Sequence, residues 1–411
     1  MSDNDNDISI GTASEDDWDA IYPAMSLAFN EDGDEQSARA ERGVFEPERL
    51  LVARRRGEVV GTAGILTREL AVPGATVPTA HVTMVTVAAT ARRQGVLTRF
   101  MKQQFADMRT AGEPIAALWA SEGRIYQRFG YGLAARRLSM SIDTREVRLN
   151  EPAAGPGLRP AAASELPKVL ADVYEQVYPQ RPGWSERHDN AWEYKLSDPP
   201  GRRNGATRLQ ITLHEGETGV DGYALWRVKS DWDGHGPRGE VRVHEVVTLN
   251  DTAYRALWGF LLTIDLARST SAWMTAIDEP VQFLVNEPRR LGMEIGDGLW
   301  VRIVDLPAAL AARRYSVPVD VVFEVTDVRL PANAGRWRLI AQADGTATCT
   351  STVDEPELLC DIRALASAYL GDAVFGGLHA AGLVREARPG ALAATAAAFT
   401  WHRAPVSIEI F

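Results

Sequence analysis

The chain has 411 residues, 45% of them hydrophobic and 24% charged, with a net charge of −11 and two cysteines. That length predicts two or three domains. It holds no apolar run near the roughly 20 residues of a membrane span, and its polar, acidic start, MSDNDNDISI, is unlike a signal peptide, so a cytoplasmic protein without a membrane span is expected.

Residues 1–50 carry 14 acidic and 3 basic side chains and so account for the whole net charge. A nucleic-acid binder needs a basic face, so no nucleic-acid partner is expected. An acidic rim beside a cleft would instead steer a cationic substrate. Residues 3–7 read as a solvated acidic tail. Glu31, Asp32, Asp34 and Glu35 are either a solvated loop or part of such a rim.

A first strand begins at residues 8–10. Ser14 then caps a helix whose face is Trp18, Ile21, Met25 and Phe29. Residues 50–54 and 59–66 form a hairpin across Arg56-Gly57-Glu58. Residues 81–87 are rich in β-branched side chains and predict a strand. The turn Arg92-Arg93-Gln94-Gly95 follows, then a helix with Val96, Leu97, Phe100, Met101, Phe105 and Met108 on one face. Residues 115–119 predict a buried strand. A short helix ends at Phe129-Gly130-Tyr131-Gly132, and residues 136–143 alternate as another strand.

A strand, a basic glycine-bearing turn and a helix N-terminus together make an anion site. The first N–H groups of a helix lack intrahelical partners and carry the positive end of its dipole. Gly95 lets a phosphate approach the backbone, and Arg92 and Arg93 add charge. The longer pattern is more specific. Arg-x-x-Gly after a Val-x-Val strand, followed by a strand and a Tyr-x-x-x-Gly-Tyr helix end, resembles the GNAT acyltransferase family, where this turn holds the pyrophosphate of acetyl-CoA. The family's usual Gly or Ala stands here as Leu97.

Residues 151–160, EPAAGPGLRP, read as a linker. A second unit of similar order follows. Its elements are a helix at 162–177, paired strands at 208–213 and 222–228, a strand at 240–248, a helix at 253–267, a strand at 272–276 and a helix-like stretch at 279–291. Where the first unit has Arg-Arg-Gln-Gly, the second has Thr248-Leu249-Asn250-Asp251-Thr252, with neither glycine nor arginine. It reads as a duplicated GNAT fold that has lost its cofactor site. Residues 301–306 and Pro307 mark the next boundary. Beyond it lie a helix at 307–315, strands at 319–328, 335–340 and 346–353, and helices at 355–370 and 372–381. This α+β tail resembles the sterol-carrier fold. The chain stops on an apolar stretch at Phe411, where most chains end polar and frayed.

The predicted fold class is therefore α/β and α+β. Tandem GNAT folds, the second degenerate, occupy 1–150 and 151–303, and a sterol-carrier-like α+β domain occupies 304–411. In this order, with a terminal Phe, the units resemble the enhanced intracellular survival (Eis) acetyltransferases of actinobacteria. The resemblance implies acetylation of amines on aminoglycosides and other polyamines, with acetyl-CoA as co-substrate, no metal, and a homo-hexamer. It places Val85, Thr86 and Val87 along the pantetheine arm. Arg92, Arg93, Gln94, Gly95, Val96, Leu97 and Thr98 fall at the pyrophosphate, and Ser121 and Glu122 on the opposite wall of the cofactor groove. It makes Tyr126 the general acid and the α-carboxylate of Phe411 the general base, with the C-terminus docked into the first domain's active site. A carboxylate near the amine can take the proton that a polyamine carries at pH 7. His81 is a competing base, although as the start of a strand it reads as structural. Two alternatives stay open: acetylation of protein or peptide lysines, and a lipid-binding or scaffold role for the C-terminal domain.

Overall fold

The computed structural model describes residues 8–151 and 157–411. The acidic run at 3–7 and residues 152–156 of the 151–160 linker lie outside the described residues. The described residues form two seven-stranded sheets, a five-stranded sheet and a two-stranded ribbon.

The first sheet grows from an antiparallel series: β1 (Ser9–Thr12), β2 (Leu51–Arg55), β3 (Glu58–Val72) and β4 (Ala75–Val87). The β3/β4 hairpin is longer than predicted, because the ladder continues from Leu66↔His81 to Val72↔Ala75 around Pro73-Gly74. Two helices separate β1 from β2. α1 (Trp18–Phe29) carries the predicted face, with Trp18, Ile21 and Met25 buried. α2 (Glu35–Arg42) is not predicted by any apolar pattern. Its start is set by Asp34, whose carboxylate accepts the backbone N–H groups of Gln36 and Ser37. α3 (Val96–Ala111) crosses over to β5 (Ile115–Trp119), parallel to β4. α4 (Gly123–Gln127) and β6 (Gly132–Leu133) follow.

The two GNAT-like units exchange strands. Residues 136–143, expected to complete the first unit, form a strand (Arg136–Asp143) inside the second sheet, between Ala267–Thr275 and Glu294–Asp297. In return Leu299–Ile303 enters the first sheet between β5 and β6, from Leu299↔Trp119 to Ile303↔Ile115. Its Leu299, Val301 and Ile303 are fully buried. The rest of the second sheet comprises Gly239–Thr248, Gly219–Lys229, Gln210–Gly216 and Leu158–Pro160.

Several predicted elements are corrected. The helix expected at 253–267 ends at Leu261, and residues from Ala267 already belong to the next strand. The stretch 279–291 is not one helix. A single turn (Val281–Leu284) gives way to extended Val285, which bridges Leu149, and Pro288 opens a separate 3-10 turn. The helix expected at 355–370 begins only at Ile362. Leu358–Asp361 is a strand parallel to Val319–Thr326, because Leu358 and Cys360 alternate into the core. The third domain's apolar core is continuous with the first sheet, joining Leu70, Ile115 and Leu299 to Leu365, Tyr369 and Phe375. No helix among the described residues is long and apolar enough to cross a membrane.

Candidate active site

Beyond His81↔Ala117, β4 and β5 cease to pair and diverge. On its other side β4 bulges, since Thr62 pairs with Thr86 but Gly64 with Thr83, and Met84 takes φ 52°. Backbone groups at Met84 and Val85 are thereby released from the β3 ladder. The notch opens into two confluent clefts.

The first, a groove of about 930 Å³, is walled by Val85, Thr86, Val87, Arg92, Arg93, Gly95, Val96, Leu97, Thr98, Ser121, Glu122 and Tyr126. Of the residues expected to hold acetyl-CoA, only Gln94 is not on this wall. Its amide N–H donates to the Thr90 carbonyl, and its oxygen accepts from Arg55. The turn suits an anion. Arg93 (φ 63°) and Gly95 (φ 79°) are left-handed and lead into the N-terminus of α3. A Cβ on Gly95 would meet nothing within 4 Å, so its need for glycine is one of backbone conformation. Arg124 and Arg128, not anticipated from the sequence, add two guanidinium groups. In the second unit the equivalent helix N-terminus is filled from within. The Asn250 side chain accepts the Ala253 N–H (2.9 Å) and donates to Asp221 (2.8 Å), with Asp251 in the first turn.

The second cleft, about 770 Å³, lies between the units. α1, β3, β4 and the end of β5 form one side. Tyr194, Lys195, Arg202, His244 and Trp273 of the second unit form the other, and Glu409, Ile410 and Phe411 close it. Phe29, Val85, Ser121 and Tyr126 line both clefts, so Tyr126 stands where they meet. Tyr126 is 6% exposed, and burial pushes its hydroxyl up to about 12, so it stays protonated at neutral pH.

His81 is not placed as a base. It is fully buried, with Nε2 2.8 Å from Ser185 Oγ and Nδ1 3.1 Å from the Thr79 carbonyl. Burial, and then the Arg68 charge, lower it to about 3. The Phe411 ring stands edge-on against it at 4.5 Å. His244 is likewise neutral, lowered to about 4 by burial with Lys195 and Arg227 nearby. Trp18 is core, and Met84 lines the second cleft.

The acidic cluster divides. Asp34 caps α2 and Glu35 pairs with Arg39 on the surface, while only Glu31 lines the cleft. The basic side chains lining it are all engaged: Arg68 with Glu409 (3.2 Å), Lys195 with Glu245 (2.9 Å) and Arg202 with Glu41 (2.5 Å). Burial lifts the Glu41 carboxyl above its ordinary range against the pull of Arg202. Glu31 has no ion-pair partner among the described residues. The second-unit wall and Glu409 were missed by sequence reasoning. The one available signal was a lone acid inside the apolar ending Val406-Ser407-Ile408-Glu409-Ile410-Phe411.

Residues 9–134 and 183–303 each match an acetyltransferase (GNAT) domain family, and 306–407 match a sterol carrier protein domain. The chain is 42% identical over 401 residues to an "uncharacterized N-acetyltransferase" of Streptomyces avermitilis, covering 95% of this chain and 96% of that one. It is 33% identical over 376 residues to N-acetyltransferase Eis of Mycobacterium tuberculosis, covering 89% and 90%. The solved structure of Eis1 from Mycobacterium abscessus superposes with a TM-score of 0.85 at 32% identity, over 98% of this chain and all of the other. A GCN5-related N-acetyltransferase from Anabaena variabilis shares the fold at 22% identity with a TM-score of 0.85.

Proposed function

Because the chain belongs to the Eis-type GNAT N-acetyltransferases, we propose that it transfers the acetyl group of acetyl-CoA to amines of cationic, multi-amine small molecules such as aminoglycosides. The observation that carries this reading is the position of Tyr126, at the meeting point of an arginine-lined groove suited to an anion and a second cleft that ends in Phe411. Arg92, Arg93, residues 95–98 and the walls at 85–87 and 121–122 bind the co-substrate. The acceptor lies between the two units. Its attacking nitrogen gives up a proton to the Phe411 α-carboxylate, directly or through water, as it bonds to the thioester carbon. The carbon–sulfur bond breaks, and Tyr126 protonates the departing thiolate. Backbone N–H groups at the Met84 bulge are candidates to meet the developing carbonyl charge.

The charge balance of the cleft favours a cation. Its basic side chains are paired, leaving Glu31 and the terminal carboxylate to meet ammonium groups. Enclosure by the second unit favours a small acceptor over a peptide. A homo-hexamer in the cytoplasm is part of the same proposal, and light scattering would test the assembly. The activity test is free-thiol release from acetyl-CoA with aminoglycosides, linear polyamines and lysine peptides, with mass spectrometry of products. Several acetyl additions on aminoglycosides are expected. Acetylation confined to peptides would refute the acceptor class.

A further inference from the structure

Residues 400–411 leave the third domain after its last helix (Ala391–Phe399) and run along the second unit. The Ala404 N–H donates to Asp278 (2.9 Å) and the Val406 N–H to the Pro182 carbonyl (3.0 Å). Val406 and Ile408 are buried among Tyr174, Trp192, Leu225 and Val247. They also line the space where the second unit's parallel strands, Gly239–Thr248 and Ala267–Thr275, diverge beyond Val243↔Ala272. The same divergence in the first unit opens the groove assigned to acetyl-CoA. The second unit's notch thus receives the chain's own tail. Burial of these aliphatic side chains holds it there.

Glu409 is the single acidic residue of this tail, and its carboxylate bridges the two units. One oxygen lies 3.2 Å from Arg68 of β3, and the other lies 3.2 Å from Arg187 of the second unit. The three side chains are 12%, 7% and 0% exposed. Arg187 is also held by a bidentate pair with Glu245 (2.8 and 2.7 Å) and lies over the Tyr174 ring at 4.0 Å. Burial alone would raise the Glu409 carboxyl, but Arg187, then Arg68 and Lys195, hold it below its ordinary range, so it is ionised. Charges this deep are tolerated only in such partnered geometry. Two residues of extended chain reach at most about 7 Å, so the anchor confines everything beyond it. Trp119 adds a tether from β5, its indole N–H donating to Ser407 Oγ (3.3 Å).

We propose that Glu409 is a positioning residue that, by bridging Arg68 and Arg187, keeps the Phe411 carboxylate in the acceptor cleft. This rests on the reading of that carboxylate as general base. A base displaced by about 1 Å can cost on the order of 100-fold, so the anchor acts on turnover and not on the co-substrate groove. The test is a double-mutant cycle. Glu409→Gln is made in the parent chain and in a chain extended by two glycines past Phe411, with kcat, KM for acetyl-CoA and thermal midpoint measured for each. Expected are a fall in kcat of about tenfold or more for Glu409→Gln in the parent, an unchanged KM for acetyl-CoA, and no further fall in the extended chain. Arg68→Gln, which leaves Glu409 paired with Arg187, should lower kcat in the same direction and serves if Glu409→Gln does not fold. The same fold-loss in both backgrounds, or a lowered midpoint with unchanged kcat, overturns the positioning role. Full turnover by the extended chain alone overturns the general-base assignment, and with it the need for an anchor.

Discussion

Replacing Tyr126 by Phe removes one oxygen and leaves the ring. That ring is 6% exposed and stands edge-on to Tyr131 at 5.8 Å, a contact Phe keeps. The hydroxyl has no protein hydrogen-bond partner among the described residues, so the stability change should stay below about 1 kcal/mol. A general acid contributes about 10²–10⁴ in rate, which corresponds to about 2.7–5.4 kcal/mol of transition-state stabilisation. Because burial raises Tyr126 to about 12, the acid form is present below that pH and lost only as pH rises through it. Tyr126 therefore puts no alkaline limb into the profile near neutrality. The assay is thiol release from acetyl-CoA with a saturating multi-amine acceptor, alongside calorimetric binding of acetyl-CoA. We expect kcat to fall by about 10²–10⁴ while affinity for acetyl-CoA is retained. A kcat within about threefold of the parent (under 1 kcal/mol) would remove Tyr126 from proton transfer.

Gly95→Ala places a side chain at φ 79° without a clash, at a cost of about 1–2 kcal/mol in the turn itself. Acetyl-CoA should bind about tenfold more weakly by calorimetry, and an unchanged affinity would contradict the assignment of that turn. Gly132→Ala would put a Cβ 2.3 Å from the Arg363 carbonyl oxygen and 2.7 Å from the Ser367 backbone nitrogen, where the first sheet meets the third domain. Overpacking there should cost about 1–3 kcal/mol, read as a lower denaturant midpoint. A midpoint equal to the parent's would show that the contact is not tight. His81, about 3 when folded against an ordinary 6.5, binds a proton in the unfolded chain before it does in the native one. Stability should therefore fall as pH drops from about 6.5 toward 3. His81→Asn should flatten that dependence between pH 7 and 5, and parallel denaturant curves for the two proteins would refute the linkage.

What the sequence made legible was local. The strand, turn and helix around Arg92-Arg93-Gln94-Gly95 form from neighbouring residues, and the groove lined by 85–98 follows from them. The absence of glycine and arginine at Thr248-Leu249-Asn250-Asp251-Thr252 is equally local, and the structure adds that Asn250 caps its own helix. Long-range pairing was not legible. Nothing in residues 136–143 reveals that they alternate for the second sheet and not the first, because period-2 patterning names a face but no partner. Arg68 and Glu409 lie 341 positions apart, and their pairing follows only once three domains are assembled. Leu358, Leu359 and Cys360 make an apolar run too short for periodicity to separate strand from helix, and the parallel partner Val319–Thr326 decides it.

The exchanged strands set an order of events during synthesis. β5 ends at Trp119, but the neighbour that covers its edge, Leu299–Ile303, emerges from the ribosome some 180 residues later. At about 5–20 residues per second that interval is on the order of 10–40 s. Through it the nascent N-terminal sheet presents an open strand edge of the kind that recruits other chains. The N-terminal unit thus cannot close its sheet on its own, and a gene fragment encoding only that unit would yield an unfinished sheet. Fusing the two units in one reading frame ensures that each copy meets its own missing strand.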